Sequence, residues 1–287
     1  MRKFFVLAVL VCLFALPLAA HAGYPMKLRD ARGKLVTISA KPARIVSLTP
    51  SNTEILFALG LGNHVVGVTK YCDYPPAAKK KHKIGDMTAN TEAILAVKPD
   101  LVIAHAFIND TVIKQLEKLG VTVFAIDPKT INGVARDIRT IGRITSHPKT
   151  ANKLAGQLES SFKEVKASRA KKHSKKVLVV IQADPLWAAG PKTFVDEMLR
   201  TAHAENVAKD ARPGFVTFSK ELAITRNPDI IIVGSKTDAN FFLNSVGWKD
   251  TNAARHKHVY VLDNDLIVRP APRLAEGLHK LAGLLDR

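Results

Sequence analysis

Between Pro148 and Lys172 apolar residues recur at intervals of three and four, at Ala151, Leu154, Ala155, Leu158, Phe162 and Val165. That period predicts an amphipathic helix. Thr145 and Ser146 are its candidate caps, and Pro148 suits a first turn, where its missing N–H is no loss. A helix of roughly 24 residues spans about 36 Å, beyond the reach of an ordinary loop connection. On each side the pattern changes to short aliphatic runs alternating with helical periods, which reads as βα units around largely parallel sheets.

Before the long helix, Gly23 to Ala40 reads as a hairpin turning at Ala31-Arg32-Gly33-Lys34. Arg44 to Leu48 is a buried-type strand. Ser51-Asn52-Thr53-Glu54 has the form of a capping box opening a helix that Gly60 and Gly62 stop, so Glu54 reads as a cap. Strands are expected at His64–Thr69, Leu101–Ala104 and Val121–Ile126, and helices at Glu92–Val97 (capped by Thr91), Thr111–Leu119 and Ile131–Arg143. After it come a strand at Val177–Gln182, a loop from Asp184 to Gly190, helices near Thr193–Arg200 and Glu221–Thr225, strands at Ile230–Val233 and Val259–Leu262, and a closing helix.

The two halves repeat one another. Thr91 to Asp100 and Lys220 to Asp229 each carry a glutamate eight positions before an aspartate, and each is followed by an aliphatic strand. Val121 to Asp127 is echoed by Val259 to Asp263. The expected fold is therefore α/β: two similar α/β lobes with largely parallel central sheets, joined by one long backbone helix. The expected boundaries are an N-terminal lobe over residues 23–144, the connecting helix over 145–172 and a C-terminal lobe over 173–287. A ligand would sit in the seam between the lobes. Two copies over such a distance exclude a solenoid.

The first 22 residues stand outside this scheme. Arg2 and Lys3 precede the apolar run Phe4–Leu16, and Ala20-His21-Ala22 offers small residues for cleavage before Gly23. This is a secretory signal. Cys12 lacks the small-residue setting of a lipoprotein site, so a soluble exported protein is expected. Its loss lowers the formal charge from +18 to +16, because only Arg2 and Lys3 are charged there. Export makes nucleic acid an improbable partner for that charge, which reads as a basic, soluble surface. Cys72 is then the remaining cysteine of the 2 in the sequence, so no internal disulfide is expected.

Ligands of open α/β sheets bind beyond the carboxyl ends of the strands. The loops placed there hold Tyr71, Tyr74, Met87, His105, Phe107, Trp187 and Arg269, an aromatic lining with a few polar groups. His105 has the chemistry of a metal or haem ligand, but the sequence offers no second histidine at ligand spacing beside it, and His256 and His258 sit in a basic turn. Tyr71 and Tyr74 are alternative axial haem ligands. The sequence contains no G-x-S-x-G elbow, P-loop or G-x-G-x-x-G fingerprint. Glu92 and Glu221, at matched positions in the repeat, make a pair that two arginine clusters could read.

Several stretches together resemble the periplasmic binding proteins that feed ABC importers for vitamin B12, haem and ferric siderophores. They are Arg44 to Glu54, Gly67-Val68 with Tyr71 to Pro76, Lys98 to Ala104, and Pro272-Arg273. The resemblance implies two lobes on a rigid helix, modest closure, and a periplasmic monomer with no cofactor of its own. It also implies docking of Glu92 and Glu221 on arginines of a membrane permease driven by its ATPase. By position, Tyr71, Trp187, Phe215 and Asp265 would contact a corrinoid, with Asp86, Met87, His105 and Arg269 completing the site. Asp86 (or Met87, with a gap) and His105 stand where corrinoid-binding members carry tryptophan, which leaves haem or a ferric siderophore as the alternative ligand. A different class, an exported metal-binding protein or enzyme using Asp86, His105 and Asp265, is the lower-ranked alternative.

Overall fold

The structure, a computed structural model, describes residues 23–86 and 88–287. The signal sequence expected over residues 1–22, and Met87, lie outside the described residues. The hairpin of β1 (Met26–Arg29) and β2 (Leu35–Ile38) comes first. The first lobe then runs β3 (Ile45–Ser47), α1 (Pro50–Ala58), β4 (Val65–Val68), α2 (Pro76–Lys79), α3 (Thr91–Ala96), β5 (Leu101–His105), α4 (Asp110–Lys118), β6 (Val123–Ile126) and α5 (Ile131–Ile144). The rod is α6 (Pro148–Arg169). The second lobe opens with β7 (Lys176–Gln182), β8 (Trp187–Ala189), α7 (Phe194–Thr201), β9 (Glu205–Asn206), β10 (Phe215–Thr217), α8 (Lys220–Thr225) and β11 (Ile230–Val233). It closes with α9 (Lys236–Asn244), α10 (Asn252–Arg255), β12 (Val259–Val261), α11 (Asp265–Val268) and α12 (Leu274–Leu285).

The first sheet has the order β4-β3-β5-β6 and is parallel throughout. The second has a parallel half, β7-β11-β12, with β8 and β10 added antiparallel. The stretch expected as a loop from Asp184 to Gly190 therefore contains a strand. Only three residues of it pair, two of them alanines of low strand propensity, so the sequence signal is weak.

The repeat has a structural cause. Asp100 accepts the backbone N–H groups of Ala43 and Arg44 at the start of β3, and Asp229 accepts that of Lys176 at the start of β7. Lys98 and Asn227, one residue before each Pro-Asp pair, both turn the chain with positive φ, at 43° and 50°. Each aspartate thus ties the root of its own strand to the neighbouring one.

Ala151, Ala155, Leu158, Phe162 and Val165 bury the inner face of α6, and Leu154 packs beside them. The apolar core continues without a break from the first sheet through α5 and α6 to Val177, Ile230 and α12. A Cβ on Gly142 would lie 2.2 Å from Ala151 Cβ, so only glycine lets α5 approach α6 this closely. At the far end of the rod, buried Arg169 donates to the Ala202 carbonyl and pairs with Asp286 at 2.6 Å. Among the described residues no helix is long and apolar enough to cross a membrane.

Asp137 on α5 is the charge least well provided for. It lines a cavity of about 240 Å³ with Asp30, Asp127 and Arg136, and its Oδ2 meets no hydrogen-bond partner. Burial, with a smaller push from Asp127 and against the pull of Arg136, raises its pKa from 3.8 to about 6. The folded state therefore holds this proton over a range where the unfolded chain has lost it. Stability falls as pH rises from about 4 to about 6 and stays reduced above. Asp137→Asn is expected to stabilise the protein by about 2–3 kcal/mol at pH 8 and by much less at pH 4. Urea denaturation at both pH values checks this, and an equal effect at the two would contradict it.

Candidate ligand-binding cleft

The three loops that follow β3, β5 and β6 form one wall of a cleft of about 350 Å³, through Thr49–Ser51, His105 with Ile108, and Asp127–Lys129. The opposite wall comes from the second lobe, through Lys192–Phe194, Gly214–Phe215 and Val268–Pro270. Its volume falls in the range of small-molecule sites.

Glu54 crosses this seam. Thr49, not Ser51, is the N-cap of α1, accepting the Asn52 N–H, and Pro50 occupies the first helical position. Glu54 therefore lies beyond the reach of a capping box, and the expectation that it is a cap is corrected. It is 3% exposed, and its carboxylate takes a bidentate pair from Arg273, at 2.8 and 2.7 Å, and a third bond from Arg269 at 3.2 Å. Both arginines belong to the second lobe. Arg269 also reaches Asp73 of the first lobe and Asp265 of its own, each at 2.7 Å. The Arg273 guanidinium lies over the Tyr74 ring, 3.7 Å from its centre.

The protonation states follow from these contacts. Burial pushes the Asp73 carboxyl up, but the hydrogen bond and charge of Arg269 outweigh it and hold the group below its ordinary value. Asp265 is raised, chiefly by burial and then by its carboxylate neighbours, against the pull of Arg269. The bidentate bond to Glu54 raises Arg273 further. On the other side of the cleft a second bridge runs between the lobes, where the Ile131 N–H at the start of α5 donates to Glu197 of α7 at 2.9 Å. A carboxylate at a helix start also meets the positive end of its dipole.

His105 ends β5 with both ring nitrogens engaged. Nδ1 accepts the backbone N–H groups of Phe107 and Ile108, at 3.3 and 3.4 Å, and Nε2 faces Asp127 Oδ1 at 3.4 Å. Nδ1 as acceptor makes Nε2 the protonated nitrogen of a neutral ring. Burial lowers its pKa, Asp127 opposes this, and Lys129 adds to it. In this arrangement His105 offers no lone pair to a metal or haem iron. Among the described residues no group of three or more His, Cys, Asp or Glu is placed to hold a metal ion.

Of the residues expected at the site, His105, Phe215 and Arg269 line the cleft. Tyr71 and Trp187 are exposed rather than part of its walls, Tyr71 shortly after β4 and Trp187 paired with Gln182 at the end of β7. Asp265 touches the cleft through Arg269. Asp86 is not among the residues lining the cleft; its carboxylate accepts the N–H and hydroxyl of Thr88 in its own loop, which lower its pKa. Asp86, His105 and Asp265 share no cluster. Glu92 and Glu221 are both exposed in first helical turns.

Sequence reasoning missed Glu54, Asp73, Asp127 and Arg273. Pro50 was the available signal for Glu54: proline at the first helical position moves the cap to Thr49. Glu54→Ala would leave two guanidinium groups facing a vacated partner, and is expected to cost about 3–5 kcal/mol in urea denaturation. A loss below about 1 kcal/mol would show that the lobes do not depend on this pair.

This chain belongs to the periplasmic binding protein family, which it matches over residues 45–266. It is 39% identical over 267 residues to YvrC, an uncharacterised ABC transporter substrate-binding lipoprotein of Bacillus subtilis, across 90% of this chain and 85% of that one. It is 32% identical over 243 residues to the vitamin B12-binding protein of Yersinia pestis, across 84% and 85% of the two chains. Among solved structures, the periplasmic haem-binding protein RhuT of Roseiflexus superposes with a TM-score of 0.75 at 31% identity, over 84% of this chain and 97% of that one.

Proposed function

We propose that this protein is the substrate-binding component of an ABC importer, and that it captures a corrinoid between its lobes and hands it to a membrane permease. The observation that carries the reading is a cleft held between two bridged lobes, lined by half-exposed Phe215, in a protein that also leaves Tyr71 and Trp187 exposed. Aromatic side chains held at the surface rather than buried in the core, with only Lys70 set over the Tyr71 ring, suit a large, flat, partly apolar ligand. The B12-binding relative supports the corrinoid. Haem is the second reading, supported by the haem-binding relative, with exposed Tyr71 rather than His105 as the candidate iron ligand. A ferric siderophore shares the same architecture. The relatives are binding proteins of ABC transporters, and the scatter of Asp86, His105 and Asp265 gives no support to an exported enzyme.

Absorption titration of the exported protein with cyanocobalamin and with haemin tests this. Cobalamin binding at micromolar concentration or tighter is expected, without a Soret shift on adding haemin. A Soret shift lost in Tyr71→Phe would select haem, and no binding of either would reject both ligands.

Glu92 and Glu221 are proposed as the permease contacts, one on each lobe, read by arginines of the importer and its ATPase-coupled channel. Glu92→Lys with Glu221→Lys should abolish uptake in cells and leave ligand affinity unchanged. A fall in affinity would assign the pair to the pocket instead. The mature chain is proposed to begin at Gly23 without a lipid, which intact mass of the periplasmic protein checks.

A further inference from the structure

One loop of the cleft is built in a way that its sequence alone does not require. After β5 the chain turns through His105 to Asn109, closed by the Asn109 side chain accepting the His105 N–H at 2.8 Å and by the Asn109 N–H reaching the His105 carbonyl at 3.0 Å. The His105 ring sits inside this turn, and its Nδ1 lone pair collects the N–H groups of Phe107 and Ile108. The consequence is seen at the rim. Ile108 lines the cleft, and Phe107 is held 81% exposed, with no ring partner among the described residues. A large aromatic side chain so far out in water gains nothing for folding, while an open aromatic face beside a cleft is suited to stacking on a planar ligand.

We infer that Phe107 is a ligand-contacting residue at the cleft rim, and that His105 is the positioning residue that holds it there, in its neutral form only. Protonation of Nδ1 would replace the acceptor of two amide donors with a third donor, and the loop would let go of both. The groups facing the ring are Asp127 and Lys129 on its own wall; Lys192 and Arg269 line the same cleft from the other lobe. Burial opposes protonation most, the carboxylate of Asp127 favours it, and Lys129 opposes it more weakly; the balance lowers the His105 pKa, so the latch stays closed at neutral pH and opens on acidification. This rests on the ligand reading above.

Phe107→Ala, a surface change that should leave the melting temperature unaltered, is expected to weaken binding of cyanocobalamin or haemin, whichever the wild type takes, at least tenfold. Wild-type affinity should be flat near neutral pH and fall on acidification, at a pH below the ordinary histidine range, following the lowered His105. In His105→Gln, whose amide oxygen can accept but does not titrate, that fall should vanish. The backbone amide signals of Phe107 and Ile108, followed by NMR without ligand, should titrate together with the His105 ring in wild type and stay flat in the glutamine variant. Unchanged affinity in Phe107→Ala, or amide signals that ignore the His105 titration, overturns the inference alone. Binding of neither macrocycle overturns it together with the reading on which it rests.

Discussion

Everything at the seam depends on one buried carboxylate. Glu54 sits in the first lobe with almost no access to water, and the two guanidinium groups that neutralise it come from the last segment of the second lobe. An isolated charge so placed would be several kcal/mol too costly to keep, so the lobes have to meet where Arg269 and Arg273 can reach it. Networks of this kind add little net stability over an apolar contact of the same size, because desolvation offsets the Coulomb gain. What they supply is direction. A bidentate guanidinium–carboxylate pair tolerates little change in angle or distance, and here it spans the two lobes. Arg269, shared with Asp73 and Asp265, extends the constraint to the edge of the cleft.

The rod and the bridges act on opposite faces of the same problem. Along α6 the core is continuous between the sheets, and close-packed interiors repack in steps rather than bend. Near the cleft, Glu54 with its arginines and Glu197 with the start of α5 tie the lobes a second and third time. A wide hinge motion would have to break charge-assisted bonds and uncover the rod together. The rod and the bridges thus hold both walls of the cleft, and a site held in this way costs less to reorganise on binding.

The fold was legible because its signals are local and repeated. The helical period of Ala151 to Val165 and the two Pro-Asp stretches before aliphatic strands each report a physical need within a few residues. The cleft lining was legible from position in a strand–loop unit for His105 and Arg269, and from the resemblance alone for Phe215. Pairings between distant segments were not. Glu54 and Arg273 are 219 residues apart, and the sequence between Ser51 and Glu54 offers a better-known local explanation that happens to be wrong. Nor was the local role of Asp86 legible: Thr88, two residues on, donates its N–H and its hydroxyl to the carboxylate. Trp187 was placed in a loop because a three-residue strand leaves no period to read.

If the lobes are fixed, selectivity has to come from what the scaffold presents rather than from how far it closes. The framework residues do not face the ligand: Asp100 and Asp229 anchor strand roots, Arg169 anchors the rod, and Glu54 is consumed by its partners. The exposed aromatics are carried instead on connections after strands, Tyr71 and Phe107, on the edge strand β10, Phe215, or at the start of β8, Trp187. Such segments can change identity without disturbing the core, since they contribute little to it. That separation explains how one architecture accommodates chemically different large ligands. It also explains why a chain can be assigned to this family from its framework, while the choice of ligand is left to the side chains that the scaffold presents.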